Sequence, residues 1–245
     1  MNTISFLLNL LYPPKCLACG ELLWPHATVL LCDRCHGEWD KQKALICRQC
    51  KRPHNECRCM SPILRDMKAD VCHIVPYHSA TVAGKLLLLA KDERLPVLTD
   101  FFARELADVV AARIGRIDRS RLVVTYLPRG RRRAAVCGVD QGRAIARALA
   151  KELGLPIVAV FRRCNSVAQK ENDTAEQRLR AARRSYRLKK RLPDLQEKAV
   201  ILVDDIFTSG ATMIAGAELL RSRGVQEIFC VTVGKSEKTP NTQPK

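Results

Sequence analysis

Apolar and polar positions change period along this chain, and the changes mark its elements. Val71-Cys72-His73-Ile74-Val75-Pro76-Tyr77 is a mainly apolar run that predicts a short strand. Ala80 to Lys91 predicts a helix with Leu86-Leu87-Leu88-Leu89 largely buried. A second helix runs from about Pro96 to Ile114, with proline in its first turn and Leu98, Phe101, Phe102, Leu106 and Val109 along one side. Leu122 to Leu127 reads as the next buried strand, Val139 to Leu153 as an amphipathic helix closed by Gly154, and Pro156 to Phe161 as another strand. Val200-Ile201-Leu202-Val203 has the pattern of a strand buried on both faces, and Met213 to Leu220 returns to helical spacing. Strands alternating with helices imply crossover connections and a parallel sheet flanked by helices, with its ligand site along the carboxyl edge of the strands.

That edge carries the first candidate chemistry. The run from Val200 ends in Asp204 and Asp205, and a turn rich in hydroxyls and glycine, Thr208-Ser209-Gly210-Ala211-Thr212, leads into the helix. The free amides and dipole of a helix start favour an anion, and Gly210 lets the backbone approach it closely. Two carboxylates just upstream accept hydrogen bonds from vicinal hydroxyls, so the stretch has the shape of a ribose 5-phosphate site. The competing explanation is that the acids merely cap the helix, but a cap needs one acid and no glycine turn.

The strand ending at Leu127 opens on the same edge and runs into Pro128-Arg129-Gly130-Arg131-Arg132-Arg133. Guanidinium forks match the oxygens of a pyrophosphate; a solvated basic loop or a nucleic-acid contact accounts for the arginines equally well. Gln169 to Arg187 carries no strand signal and is crowded with Lys170, Asn172, Arg178, Arg180, Arg183 and Arg184. It reads as an irregular insertion, either a lid or a surface excursion.

Eight of the 12 cysteines lie between Cys16 and Cys59. Cys16-x2-Cys19 and Cys32-x2-Cys35 form two doublets, and Cys47-x2-Cys50 is followed by Cys57-x-Cys59. Two doublets complete a tetrahedral four-thiolate site, so two structural zinc ions are expected. Pairing of the first doublet with the third, or replacement of a thiolate by His36 or His54, remains compatible with the spacing. Cys72, Cys137, Cys164 and Cys230 are isolated and read as core residues.

Composition narrows the class without choosing a ligand. The 245 residues suffice for one core and a small appendage, and a net charge of +17 points to polyanionic company such as nucleotides, pyrophosphate or nucleic acid. Met1 to Leu11 is apolar but too short to span a bilayer and has no basic flank, so it reads as a short packed helix. The expectation is a soluble cytoplasmic protein with no membrane partner. Its cysteine-rich head spans 1–60, a connector follows, the sheet domain spans 71–236, and 237–245 forms a disordered tail.

The stretch from Val200 to Thr212 resembles the phosphoribosyl-pyrophosphate (PRPP) loop of type I phosphoribosyltransferases. With Leu10-Leu11-Tyr12-Pro13-Pro14-Lys15-Cys16, Cys47-Arg48-Gln49-Cys50-Lys51-Arg52-Pro53, Tyr77, Pro128, Gly138, Asp140, Gln141, Gln169, Thr174, Glu176, Arg178 and Tyr186, nearly the whole chain resembles the ComF family (ComFC- and GntX-like proteins). It departs from that family at Gly130, at Cys137 to Gln141 and at Asn172-Asp173. The resemblance implies a zinc-ribbon head on a phosphoribosyltransferase-like body that binds Mg²⁺-PRPP or another nucleotide-like small molecule. Asp204 and Asp205 would then be catalytic and orient the ribose. Thr208, Ser209, Gly210, Ala211 and Thr212 would hold the 5′-phosphate, Arg129, Arg131 and Arg132 the pyrophosphate, and Lys91 and Gln169 would approach from the facing side. The acceptor is not named by any residue. The family's link to competence implies an alternative, a single-stranded DNA-binding factor with PRPP as its regulator; few aromatics and high charge suit sequence-independent contact.

Overall fold

A computed structural model describes residues 12–23, 29–90, 96–129, 140–164 and 174–236. In chain order the elements are α1 (Asp33–Ala44), α2 (Pro62–Asp66), β1 (Asp70–Tyr77), α3 (Val82–Leu89), α4 (Pro96–Ile114), β2 (Leu122–Tyr126), α5 (Gln141–Leu153), β3 (Phe161–Arg163), α6 (Ala175–Ser185), β4 (Tyr186–Leu188), β5 (Ala199–Phe207), α7 (Ala211–Arg221) and β6 (Glu227–Ser236). The expected helix at Met1 to Leu11 and the tail 237–245 lie outside the described residues. Among the described residues no helix is long and apolar enough to cross a membrane.

Four strands form one parallel sheet in the order β1-β6-β5-β2. The central pair explains itself: Val200 to Val203 and Ile228 to Val233 are buried throughout, which suits strands covered by helices on both faces. One face packs Ile201, Val203, Val231 and Val233 against α4 and α5, through Phe102, Leu106, Ile145 and Leu149. The other packs Val200, Leu202, Ile228 and Cys230 against α7, α6 and α2, through Ile214, Leu220, Leu179 and Leu64. Cys72 and Cys230 are buried core residues, as their setting in strands suggests, whereas Cys164 is partly exposed.

Two local expectations need correction. The expected strand from Pro156 to Phe161 contributes only a parallel bridge from Ile157 to Val124. The chain then leaves the sheet, and β3 pairs antiparallel with β4. Proline at 156 has no N–H to give a ladder, which suits a one-bridge edge. Second, most of the segment read as an irregular insertion is helical: Thr174 and Gln177 form a reciprocal capping box at the start of α6, which buries Leu179 and Ala182. The cysteine-rich head also contains a helix, α1, whose buried Trp39 stacks on Phe102 and tilts against Phe101 of α4, while its indole N–H donates to Glu105 at 2.8 Å.

The connections fix where a ligand site can form. β2 is followed by α5 on one face, and the chain returns at Ile157 on the outer side of β2. β5 is followed by α7 on the opposite face and returns as β6 on the other side. The carboxyl end of β2, at Tyr126, lies beside Val203 of β5, which continues to Phe207, and the helices that follow the two strands lie on opposite faces. Such a switch point leaves a crevice at the strand ends.

Candidate functional site

Asp204 and Asp205 end the apolar run of β5 in that crevice. The Asp205 N–H donates to Asp204 Oδ1 at 3.0 Å and the Ile206 N–H to Asp205 Oδ1 at 2.8 Å, so each carboxylate is held by the backbone just after it. Arg129, two residues beyond Leu127, donates to Asp205 Oδ2 at 2.7 Å and to the side-chain oxygen of Gln141. Gln141 in turn donates to the Leu87 carbonyl at 3.1 Å. The Arg129 N–H donates to Asp140 Oδ2 at 3.0 Å, while Asp140 Oδ1 caps α5 by accepting from the Arg143 N–H at 3.3 Å. The two loops are thus stitched together across the crevice by one guanidinium and its backbone.

The acid pair sits in a setting that strains it electrostatically. Burial, reinforced by the Asp205 charge alongside, holds the Asp204 carboxyl well above the usual carboxylate range. Burial likewise raises the phenol of Tyr186, helped by Asp204. Arg163 faces that phenol, donating to its oxygen at 3.2 Å and standing 5.3 Å from its ring centroid.

The turn after the acids has the geometry of an anion cradle. Gly210 adopts φ of +75°, and a Cβ placed on it would lie 2.6 Å from Phe207 Cζ, so only glycine fits. Helix α7 starts without a side-chain cap from Gly210, its N-cap residue. Ser209 Oγ accepts from the Ala211 N–H at 3.4 Å, and Thr208 is exposed beside it. Ser209 Oγ thus meets the first amide of α7, and the N-cap residue itself offers no side chain to the amides that follow.

Residues 127–243 match the phosphoribosyl transferase domain. Among curated proteins, the ribose-phosphate pyrophosphokinase of Campylobacter jejuni is 34% identical over 92 residues, which are 37% of this chain and 25% of that protein. The enzyme of the same name from Porphyromonas gingivalis is 30% identical over 90 residues, 37% of this chain and 24% of its own. The chain thus spans about a quarter of the length of these relatives. A hypoxanthine phosphoribosyltransferase structure from Staphylococcus aureus aligns with a TM-score of 0.34 and 15% identity, over 59% of this chain and 71% of that one. The described residues thus form a parallel sheet flanked by helices, whose part within 127–243 matches the phosphoribosyl transferase domain, preceded by a cysteine-rich head.

Of the residues proposed from sequence, the fold brings Arg129 to Asp205 and places Thr208, Ser209, Gly210, Ala211 and Thr212 directly after the acids. Lys91, Arg131, Arg132, Arg133 and Gln169 lie outside the described residues. Sequence reasoning did not single out Asp140, Gln141, Arg163 or Tyr186 as site residues. Asp140 announced itself as an N-cap before an amphipathic helix; Arg163 and Tyr186 carry no local signal, because antiparallel pairing of β3 with β4 is what sets them face to face.

The head gathers its thiols into two groups, Cys16, Cys19, Cys32 and Cys35, and Cys47, Cys50, Cys57 and Cys59, each with all Sγ atoms within 4.8 Å of one another. First and third doublets are therefore not shared, and among the described residues neither cluster includes a histidine. Four sulfurs about 2.3 Å from one zinc stand about 3.8 Å apart in a tetrahedron. The observed Cys19–Cys32 and Cys47–Cys59 separations are 3.7 and 3.8 Å, so both groups suit zinc. Despite burial, which opposes it, backbone amides of Cys32, Cys19 and Ala18 bring the Cys16 thiol down to about 6. Burial pushes Cys59 up to about 11. A closed four-thiolate site has no place for substrate and would serve to fold the head.

Proposed function

We propose that this protein binds Mg²⁺-PRPP or a related ribose 5-phosphate ligand and transfers its phosphoribosyl group to an acceptor. The observation that carries the reading is the placement of Asp204 and Asp205 near the carboxyl end of β5, one short turn before a helix whose N-cap residue, Gly210, offers no side chain to the first-turn amides. The phosphoribosyl transferase domain match over 127–243 supports it.

In this reading Asp204 and Asp205 accept hydrogen bonds from the ribose hydroxyls and stabilise charge that develops at the anomeric carbon as pyrophosphate departs. The amides and hydroxyls of Thr208 to Thr212 hold the 5′-phosphate. Arg129 exchanges Asp205 for a pyrophosphate oxygen, joined by Arg131 and Arg132, while Lys91 and Gln169 close from the facing side. A carboxylate-lined crevice suits a hard, oxygen-seeking cation, and Mg²⁺ would supply neutralisation of the leaving pyrophosphate. Isothermal titration with Mg²⁺-PRPP should show binding by the wild type that is lost in the Asp204→Asn/Asp205→Asn variant. Equal binding by both, or none by the wild type, contradicts the proposal.

A second reading, single-stranded DNA binding, is favoured by one surface. The β3–β4 ribbon pairs Arg162 with Arg187, whose guanidinium is held by the carbonyls of Arg183, Arg184 and Tyr186, and Lys189, Lys190 and Arg191 follow, so this edge of the molecule is strongly basic. Labelled single strands should bind with a steep salt dependence; a flat response removes this reading.

A further inference from the structure

Two fully buried polar side chains on neighbouring strands, His73 of β1 and Thr232 of β6, each present an atom, Nδ1 and Oγ1 respectively, with no hydrogen-bond partner among the described residues. They are also in register with each other and with the site: His73 lies beside Thr232, and Thr232 beside Asp204 of β5. Partners in register across a parallel sheet share a face. The preceding row, Cys72, Val231 and Val203, is wholly apolar, so a polar row has been set into an otherwise dry sheet.

The row does not begin at His73. Its Nε2 lies 3.2 Å from Nδ1 of buried His54, which sits between the doublets of the second cysteine cluster. His54 and His73 touch directly, and Thr232 and Asp204 follow in register, with Thr232 Oγ1 meeting no partner among the described residues. Docking the head does not require this row. Lys235 already donates to the Cys59 carbonyl at 2.8 Å, and Arg113 to the Glu56 carbonyl at 3.2 Å and the Cys57 carbonyl at 3.5 Å.

A buried polar atom without a partner costs about 1–3 kcal/mol, and folded proteins rarely leave one so. Adjacent strands stand about 4.8 Å apart, and since Thr232 Oγ1 and His73 Nδ1 make no direct bond to a neighbour in the row, one bridging water would satisfy both. Burial, with the Lys235 charge nearby, keeps the His73 imidazole well below its ordinary range and so neutral, with one nitrogen donating and the other accepting.

We infer that Thr232 and His73 are positioning residues for Asp204, a water-completed hydrogen-bonded row that sets the direction of its carboxyl and anchors it on His54 of the head. The consequence for ligand binding rests on the sugar-phosphate reading; the row itself does not.

The test uses the full, zinc-loaded chain with Thr232→Val and Thr232→Ser. Two quantities are read: the titration of the Asp204 carboxyl carbon by NMR, and the Kd for Mg²⁺-PRPP. Valine keeps the shape and removes the hydroxyl, so it should move the Asp204 titration and weaken binding about five-fold, the worth of one hydrogen bond. Serine should restore both. An Asp204 titration unmoved by valine, or moved alike by valine and serine, overturns the inference whatever happens to binding. A titration that valine moves and serine restores, in a protein whose wild type does not bind Mg²⁺-PRPP, leaves the row standing and removes the sugar-phosphate reading.

Discussion

Arg129 and Asp205 form an ion pair of 2.7 Å that joins the carboxyl ends of β2 and β5. Under the proposed function, a ligand with two ribose hydroxyls and a pyrophosphate would offer each partner a replacement, and the pair would act as a latch that binding opens. Because both side chains are partly exposed, solvent screening reduces what the contact contributes. Arg129→Met should lower stability by roughly 1 kcal/mol in a denaturant titration. It should weaken PRPP binding about 10- to 100-fold through loss of a charged hydrogen bond, and leave ribose 5-phosphate binding nearly unchanged.

Gly210→Ala should act on the loop more than on the sheet. The new Cβ meets the Phe207 ring and the residue is held at φ of +75°, so the turn must shift. A stability loss of about 1–2 kcal/mol is expected, together with loss of detectable phosphate binding. Adding Phe207→Leu should relieve the clash without curing the backbone conformation, so stability should recover further than binding.

The two thiol groups predict a metal count. Metal analysis of the purified chain should find two zinc ions, one for each group. Cys16→Ser should lower the count to about one and leave the second cluster loaded, and Cys57→Ser should do the converse. Loss of both ions from either variant would show that the clusters do not load independently.

Asp204 predicts the pH response of the ligand-free protein. Its carboxyl is raised in the fold by burial and by Asp205, so it favours folding while protonated. That contribution is fully present below the unfolded carboxylate pKa and is lost as pH rises through the folded value. Asp204→Asn, which cannot ionise, should therefore gain stability relative to wild type as pH climbs from the ordinary carboxylate range towards neutrality. Thermal unfolding across that window checks it; a gap of the opposite sign would show that Arg129 overcompensates the buried charge.

The central strand and the turn from it into α7 are legible because their signals are local: an apolar run, two acids, a glycine turn and a helical period occur in order within Val200 to Leu220. The segment before β4 misled for a physical reason. Arg178, Arg180, Arg183 and Arg184 mask an amphipathic helix whose buried stripe is little more than Leu179 and Ala182, and whose clearest sign is the Thr174–Gln177 capping box. Arg129 could be placed at the correct edge by topology, but its choice of Asp205 depends on Gln141 and Asp140 holding it from behind. The row from His73 to Asp204 had no signature at all. Register between strands far apart in sequence is set by the fold, and no spacing announces it.

The central claim is that the acid pair and the turn after it hold a phosphorylated pentose. It is tested most directly by amide chemical shifts of the labelled protein as ribose 5-phosphate is added. Saturable shifts concentrated at Thr208 to Met213, with Asp204 and Asp205 following and Gly210 among the largest, are predicted. Shifts confined to the basic β3–β4 surface, or none in the Asp204 to Met213 stretch at saturating ligand, would contradict it.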